Sequence, residues 1–300
     1  MLACHLAMLF DVPLIFVVCF VSGIFLATVS PDVAGGDSGE LVAASCVLGH
    51  AHPPGYPFFT LANYLFIRFF PRLLAVGSPA WRANVFNGAC TVGAASCLAL
   101  SVRRWAASLP RRGAVRQSCS SLHVGAKMRS HGSGWAGACA ALLYALSPLV
   151  WLYGAGAEVF ALNNLMCSSI VCAALRYASM PPGLGSDRAV VVGAFLCGLA
   201  LCNQHTAVLF EIPFILWIFG ALVRCGRLSL PFLSALATAF ATGLLPQVYL
   251  PVQSIFFSRQ TDWGDSSSPG PSRFRRVLSH IGVESGAQTP SSSDQISAPL

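Results

Sequence analysis

The chain has 300 residues, of which 55% are hydrophobic and only 10% are charged, and its mean hydropathy is +0.66. This composition excludes an ordinary soluble domain and indicates a protein of the membrane. The formal net charge of +7 comes largely from one loop, which favours membrane lipids with acidic headgroups over nucleic acid as a partner. The 12 cysteines lack metal-like spacing and lie mostly in apolar segments, so we interpret them as small apolar residues.

Apolar segments near the length that crosses a bilayer predict an all-α multi-pass membrane protein with about seven spans. In chain order these segments are residues 12–28, 80–102, 135–153, 159–177, 189–202, 206–223 and 230–250. The fifth is the weakest, because it is short and rich in small residues. A further apolar segment, residues 56–70, predicts a helix at the membrane interface. The first segment lacks the basic residues that begin a signal peptide, so we expect it to remain as a span.

Lys and Arg residues predict how the spans are oriented. Residues 103–129 contain seven basic residues and no acidic one, so we expect this loop and the N-terminus to be cytosolic. The opposite face then receives six of the eleven acidic residues, namely Asp32, Asp37, Glu40, Glu158, Asp262 and Asp265. The last segment is Ser- and Pro-rich and should be disordered. The predicted organisation is therefore a transmembrane module over residues 1–283 and a tail over residues 284–300.

Residues 35–57 gather acidic and histidine side chains in a chain that is poor in charge, and they read GGDSGELVAASCVLGHAHPPGYP. Asp37 predicts the N-cap of a short helix from about residue 38 to 49, with Glu40 three residues later as in a capping box. Three prolines then predict a stiff turn that presents His52 and Tyr56. A helix cap followed by a plain loop is the alternative. The position of the segment beside a span on the acidic face favours a site.

Further polar residues are predicted on the same face of the membrane. Arg82 stands near the start of the second span, where it can hold an anionic group or simply reach water. Glu158 begins the fourth span, and Asn163 and Asn164 follow about one turn later, so an acid and two amides can face one cavity. Contact between helices is the alternative for the two asparagines.

Two turns add hydrogen-bonding side chains to this face. Asn203, Gln204 and His205 lie between the fifth and sixth spans, although a lone histidine is more often structural than functional. Beyond the seventh span the chain emerges into a Trp-Gly-Asp turn that contains Trp263 and Asp265.

Six blocks in this order resemble the transmembrane protein 260 family: GGDSGELVAASCVLGHAHPPGYPFFTL, GSPAWRANVFNG, AEVFALNNL, GLALCNQHT, GLLPQVYLPV and WGD. Members of that family resemble GT-C glycosyltransferases and include a protein O-mannosyltransferase of the endoplasmic reticulum. The resemblance covers residues 23–278. Because family members continue into more spans and a lumenal helical-repeat domain, the resemblance implies a truncated form or a partial gene model.

The resemblance implies an enzyme of the endoplasmic reticulum membrane whose site faces the lumen. It would transfer mannose with inversion from a polyprenyl-phosphate donor, dolichyl-phosphate-mannose, to Ser or Thr of folded extracellular-type domains. Such a transfer needs a carboxylate that takes the hydroxyl proton. Asp37 is the candidate for this role, because GT-C enzymes commonly place an acid in the first lumenal loop, and Glu40 is the reserve. No cofactor and no metal ligand set is predicted.

The resemblance also implies roles for the remaining polar residues. The candidates for binding the donor phosphate are His52, Arg82 and His205. The candidates for the sugar or acceptor pocket are Tyr56, Glu158, Asn163, Asn164, Asn203, Gln204, Trp263 and Asp265. Two other functions stay open: a transporter in which Glu211, Asp37 and the histidines relay protons, and a membrane scaffold without activity. The clustering of charge at one face weighs against the transporter, because carriers place charge near the midplane.

Overall fold

The computed structural model describes the following parts of the chain: residues 12–69, 77–108, 122–181 and 183–256, with side chains except at 122–131 and 254–256. The turn with Trp263 and Asp265, the Ser- and Pro-rich tail and part of the basic loop lie outside the described residues. Within them every regular element is helical. In chain order these are α1 Val12–Thr28, α2 Ser38–Val47, α3 Pro57–Phe69, α4 Pro79–Ser108, α5 Leu122–Ala145, α6 Pro148–Gly154, α7 Val159–Ser179, α8 Leu184–Leu201, α9 Ala207–Arg224, α10 Leu230–Gly243, a 3-10 helix Leu245–Val248 and α11 Tyr249–Phe256.

Four helices are long and apolar enough to cross a membrane, namely α4, α7, α8 and α9. Two bent pairs also qualify when each is taken as one span, and these are α5 with α6 and α10 with the helical segment that follows it. Helix α1 has the predicted bounds, but its 17 residues place it among the shorter apolar helices. The all-α multi-pass prediction is confirmed. The described residues contain four to six spans by length and composition, so the count of about seven stays a prediction, as does the orientation.

Breaks within the third and seventh predicted spans coincide with prolines. Gly132–Ala145 and Pro148–Gly154 meet at 69°, and Pro148 is the first residue of α6, where a missing N–H leaves no hydrogen bond unmade. Pro246 follows α10, and that pair is bent by 43°. The fifth span is longer than predicted instead of broken. It begins at Leu184, five residues before the predicted start, and forms an 18-residue helix.

Helix α4 is the centre of the bundle, because it packs against α5 on one side and α7 on the other. Helix α8 lies between α7 and α10, and α1 lies against α4 and α5. The α8 and α10 backbones touch at two glycines: a Cβ on Gly198 would overlap the carbonyl oxygen of Phe240, and one on Gly243 would overlap that of Phe195. Small residues at crossing points allow such close approach in membranes.

Adding a methyl group at this crossing is expected to destabilise the bundle. Gly198→Ala should cost about 1–3 kcal/mol, because the new Cβ forces α8 away from α10. Gly23→Ala is the matched control, since no atom lies within 4 Å of its Cβ position in α1, and it should be neutral or slightly stabilising. Thermal unfolding in detergent compares the two variants. Equal melting temperatures would contradict the packing.

The turns on one end of the bundle are tied to one another by hydrogen bonds. The Ser30 amide donates to the Ala155 carbonyl at 2.9 Å, which joins the α1–α2 loop to the α6–α7 turn. The Phe58 amide donates to the Cys202 carbonyl at 3.1 Å, which joins the start of α3 to the α8–α9 turn. The Tyr249 hydroxyl of α11 reaches the carbonyl of Gly49 at 2.9 Å. Segments far apart in sequence therefore meet at one end.

Candidate active site

Helix α2 begins where the sequence predicts but is not capped as predicted. Asp37 occupies the N-cap position with φ −80° and ψ 0°, and its side chain makes no capping hydrogen bond. Glu40 does not reach back to complete a capping box; it accepts hydrogen bonds from His52 instead. The helix ends at Val47, two residues early, because Leu48 turns left-handed with φ +53°. The predicted N-cap residue is thus confirmed, the predicted capping hydrogen bonds are wrong, and the Asp37 carboxylate is not engaged by its own helix.

The proline-rich turn forms as predicted and presents its two polar residues to α2. The Gly55 amide closes the turn on the His52 carbonyl at 2.7 Å, and Tyr56 follows with φ +42°. His52 Nδ1 lies 3.0 Å from Glu40 Oε2, and His52 Nε2 lies 3.0 Å from the hydroxyl of Tyr56. The backbone amide of His52 also donates to Glu40 Oε1. Glu40, His52 and Tyr56 therefore form one hydrogen-bonded chain.

The charge of Glu40 determines which groups donate and which accept in these hydrogen bonds. An ionised Glu40 favours the proton on His52 Nδ1, so that Nε2 accepts a hydrogen bond from the Tyr56 hydroxyl. Burial, and then the negative charges of Asp37, Glu40 and Glu158, raise the pKa of Tyr56. Tyr56 consequently keeps its proton at neutral pH and acts as a hydrogen-bond donor.

Asp37 is the open member of the cluster. Its side chain is 58% exposed, against 25% for both Glu40 and His52, and Asp37 Oδ2 lies 3.9 Å from His52 Nε2. Glu40 is already engaged by two donors of His52. Asp37 is thus the carboxylate of this pair that is open to solvent.

Glu158 joins the cluster from another part of the chain. It stands at the N-cap of α7 in extended conformation, is only 7% exposed, and its Oε1 accepts the backbone N–H of Asp37 at 3.1 Å. Burial is the main cause that raises the pKa of Glu158, and the charge of Asp37 adds to it. The predicted pocket residue Glu158 therefore contacts the candidate catalytic residue through the backbone.

Three further predicted residues belong to the α8–α9 turn, and one of them contacts the residue next to Glu158. Asn203 is buried, and its side-chain amide donates to the Val159 carbonyl at 3.1 Å, one residue from Glu158. The backbone amide of Gln204 closes the local turn on Ala200. His205 lies in the same turn, and burial lowers the pKa of its ring.

The paired asparagines and Arg82 belong to helices beside the cluster. Asn164 lies in α7, where its backbone carbonyl accepts a hydrogen bond from the Ser168 hydroxyl at 2.8 Å, and its pocket role stays a prediction. Asn163 has a buried Oδ1 without a hydrogen-bond partner among the described residues. Arg82 lies in the first turn of α4 and is partly buried.

Two residues with a clear structural role are absent from the predicted site. Asn84 of α4 is fully buried, and its side-chain amide donates to the carbonyls of Ser30 and Asp32 at 2.9 and 2.8 Å. Gly36 has φ +72°, and a Cβ there would lie 2.6 Å from Glu158 Oε1. A signal for Asn84 existed, because an amide in the first turns of an apolar span needs a partner.

Three side chains of the cluster also have the spacing of a cation site. One ligand atom each from Asp37, Glu40 and His52 lie within 4.8 Å of one another, which would accommodate a divalent cation. The sequence did not predict a metal. Both ring nitrogens of His52 are already hydrogen-bonded to protein groups, so a cation would have to displace one of these partners.

A multi-pass membrane protein with a carboxylate–histidine cluster at one end of its helical bundle is the class that fold and site define. The sequence model described as the Protein O-mannosyl-transferase TMEM260 N-terminal domain matches residues 37–224, and the chain belongs to this family. The match begins at Asp37 and includes every described residue of the cluster. No solved structure matches the chain.

Two curated relatives carry the same family name. The chain is 37% identical over 261 residues to Protein O-mannosyl-transferase TMEM260 of Mus musculus, which covers 87% of this chain and 32% of the relative. It is 28% identical over 264 residues to Protein O-mannosyl-transferase tmem260 of Dictyostelium discoideum, which covers 85% of this chain and 29% of the relative. The chain thus spans about a third of the length of these relatives.

Proposed function

We propose that this chain carries the catalytic N-terminal part of a protein O-mannosyltransferase of the endoplasmic reticulum membrane, with its site on the lumenal face. The donor is a polyprenyl-phosphate sugar, dolichyl-phosphate-mannose, and the acceptors are Ser or Thr hydroxyls of folded extracellular-type domains. The observation that carries the proposal is the exposed Asp37 carboxylate beside the hydrogen-bonded Glu40, His52 and Tyr56. The names of the relatives support the reaction.

Asp37 accepts the proton of the acceptor hydroxyl while the hydroxyl oxygen attacks C1 of mannose. The bond between C1 and the phosphate oxygen breaks, and its electron pair leaves with the phosphate. The products are the mannosylated side chain and dolichyl phosphate. Attack from the face opposite the phosphate inverts the configuration at C1. One carboxylate is sufficient, because the departing phosphate is already an anion and needs no strong general acid.

Glu40 is assigned to positioning instead of to proton transfer. Its two oxygens each meet a nitrogen of His52, which fixes the ring beside Asp37. A carboxylate held in this way keeps the imidazole in one tautomer and one orientation, as acidic partners of histidine do in other sites.

Arg82 is the stronger candidate for the donor phosphate. A guanidinium is always charged and matches phosphate geometry with paired N–H groups. Burial lowers the pKa of His205, so this ring is neutral at pH 7 and offers a phosphate no charge. Tyr56 and Asn203 lie close enough to the cluster to line the sugar pocket, whereas Trp263 and Asp265 lie outside the described residues and stay predictions.

Removal of divalent cations is expected to leave transfer unchanged. The proposed proton transfer uses the carboxylate of Asp37 and no metal ion, and His52 uses both ring nitrogens for protein contacts. Microsomes treated with EDTA should keep their transfer rate within about twofold of the untreated rate, since general-base catalysis requires no Lewis acid. A loss that added Mg²⁺ or Mn²⁺ restores would contradict this and assign the three ligand atoms to a metal.

The proposed function is tested by mannose transfer in microsomes from cells that lack an endogenous family member. The membranes contain this chain or an empty vector, and labelled dolichyl-phosphate-mannose and a folded acceptor domain are added. Transfer above the empty vector supports the proposal. Absence of transfer from a correctly inserted chain contradicts it for this chain. Insertion is checked separately by protease protection of residues 30–57 in sealed microsomes.

A further inference from the structure

A buried asparagine of α4 binds the loop that precedes Asp37, residues 29–36. Asn84 of α4 donates both of its side-chain hydrogens to the loop, to the carbonyls of Ser30 and Asp32 at 2.9 and 2.8 Å. Asn84 has no exposed surface, so water does not compete for these bonds. Helix α4 therefore sets the depth of the loop at the end of the bundle.

The turn between α6 and α7 also contacts this loop. The Ser30 amide donates to the Ala155 carbonyl at 2.9 Å. A Cβ on Gly156 would lie 2.7 Å from that of Ala34, so the turn and the loop are too close for a side chain at position 156. The turn thus restricts where the loop can move.

Glu158 adds a third contact to the loop, at the backbone of Asp37, the proposed base. An N-cap side chain normally accepts an amide of its own helix, but Glu158 makes no such bond. Its Oε1 instead accepts the Asp37 amide, 121 positions away, at 3.1 Å. Gly36 makes room for the carboxylate, since a Cβ there would lie 2.6 Å from Oε1.

We propose that Glu158 is a positioning residue that fixes the backbone of Asp37, with Asn84 and Gly36 as the other parts of the same clamp. The proposal rests on the proposed role of Asp37 as the base. Because Asp37 is mostly exposed, few side-chain contacts define where its carboxylate points, and the backbone has to do so. A displacement of the base by about 1 Å costs on the order of 10²-fold in rate.

Hydrogen exchange of the Asp37 amide tests the clamp without reference to activity. Full chains in nanodiscs carry Glu158→Leu, which cannot accept a hydrogen bond, or Glu158→Gln, whose amide oxygen can. We expect the Asp37 amide to exchange about 10-fold faster in Glu158→Leu, as for the loss of a bond to a charged acceptor, and to stay near wild type in Glu158→Gln.

A second pair of variants perturbs the clamp from the opposite side, so the test survives if Glu158→Leu does not fold. Gly36→Ala pushes the carboxylate away and also strains the backbone at φ +72°, so it should accelerate the same amide about 10-fold or more. Gly35→Ala controls for the added methyl group on the same loop, because nothing lies within 4 Å of its Cβ position. Unchanged exchange in both Glu158→Leu and Gly36→Ala would overturn the proposal.

Transfer assays on the same four variants separate this proposal from the proposed function. We expect kcat to fall about 10²-fold in Glu158→Leu and Gly36→Ala, with KM for the donor nearly unchanged and with recovery in Glu158→Gln. Faster exchange without any loss of transfer would overturn the positioning role. Faster exchange in chains that show no transfer at all, wild type included, would leave the clamp standing and remove the proposed function.

Discussion

Replacement of Asp37 by asparagine is expected to lower mannose transfer by about 10²–10⁴-fold, the usual contribution of a positioned general base. The amide is almost the same size as the carboxylate but cannot accept the hydroxyl proton. Because the side chain is 58% exposed and makes no capping bond, the change should leave folding intact. The measurement is kcat/KM for an acceptor domain in microsomes, with protein levels matched by immunoblot.

Asp32→Asn is the matched control for this experiment. Asp32 is an exposed acid on the same loop, and its Oδ1 accepts the neighbouring Val33 amide at 2.8 Å, a bond that asparagine can also make. Its variant should transfer mannose within about twofold of wild type, since surface changes away from special contacts have small effects. Transfer that survives Asp37→Asn would remove the assignment of the base, and an equal loss in both variants would indicate that net charge matters instead.

Apolar length and proline position were sufficient to predict most of the helices. Helix α1 has the predicted bounds, and α3 and α7 differ from prediction by one or two residues. Length alone could not show that Pro148 begins a new helix at 69° to the one before it. A proline at the first position of a helix makes the same local contacts whether or not the span bends there, so the bend depends on packing against other helices.

The candidate site was predictable where its residues are close in sequence. Glu40, His52 and Tyr56 lie within 17 positions of one another, and the prolines between them leave the turn few conformations. The capping hydrogen bonds predicted for Asp37 and Glu40 are absent, because propensity favours these residues at a helix start irrespective of better partners nearby. Here His52 offers Glu40 two nitrogens, and these contacts prevail.

The contacts between distant segments could not be derived from sequence. Glu158 was expected at a pocket, but its bond to the Asp37 amide depends on how α4 and α7 pack. Asn84 lies two residues after Arg82, and only the folded loop shows that its amide binds two carbonyls. Patterns along a chain report which face a residue occupies and leave its partner undefined.

Loss of either Glu40 or His52 is expected to lower kcat/KM by about 10- to 100-fold, and loss of both should lower it no further. Glu40 acts through His52, because both of its oxygens meet nitrogens of that residue. Once His52→Ala removes the ring, Glu40 keeps only its bond to the backbone amide of residue 52 and has no ring to hold, so the effects overlap. A double-mutant cycle with Glu40→Ala, His52→Ala and the pair measures this coupling.

Ser45→Ala on the same helix is the control for the cycle, since the hydroxyl is buried without a partner among the described residues and its removal should not affect transfer. Two independent losses that multiply to about 10²–10⁴-fold would mean that Glu40 acts without His52. Glu40 would then act either as a candidate base or through the backbone amide of residue 52, a bond that His52→Ala retains. If the double variant loses no more activity than either single variant, Asp37 remains the proton acceptor and the role of Glu40 is to orient His52.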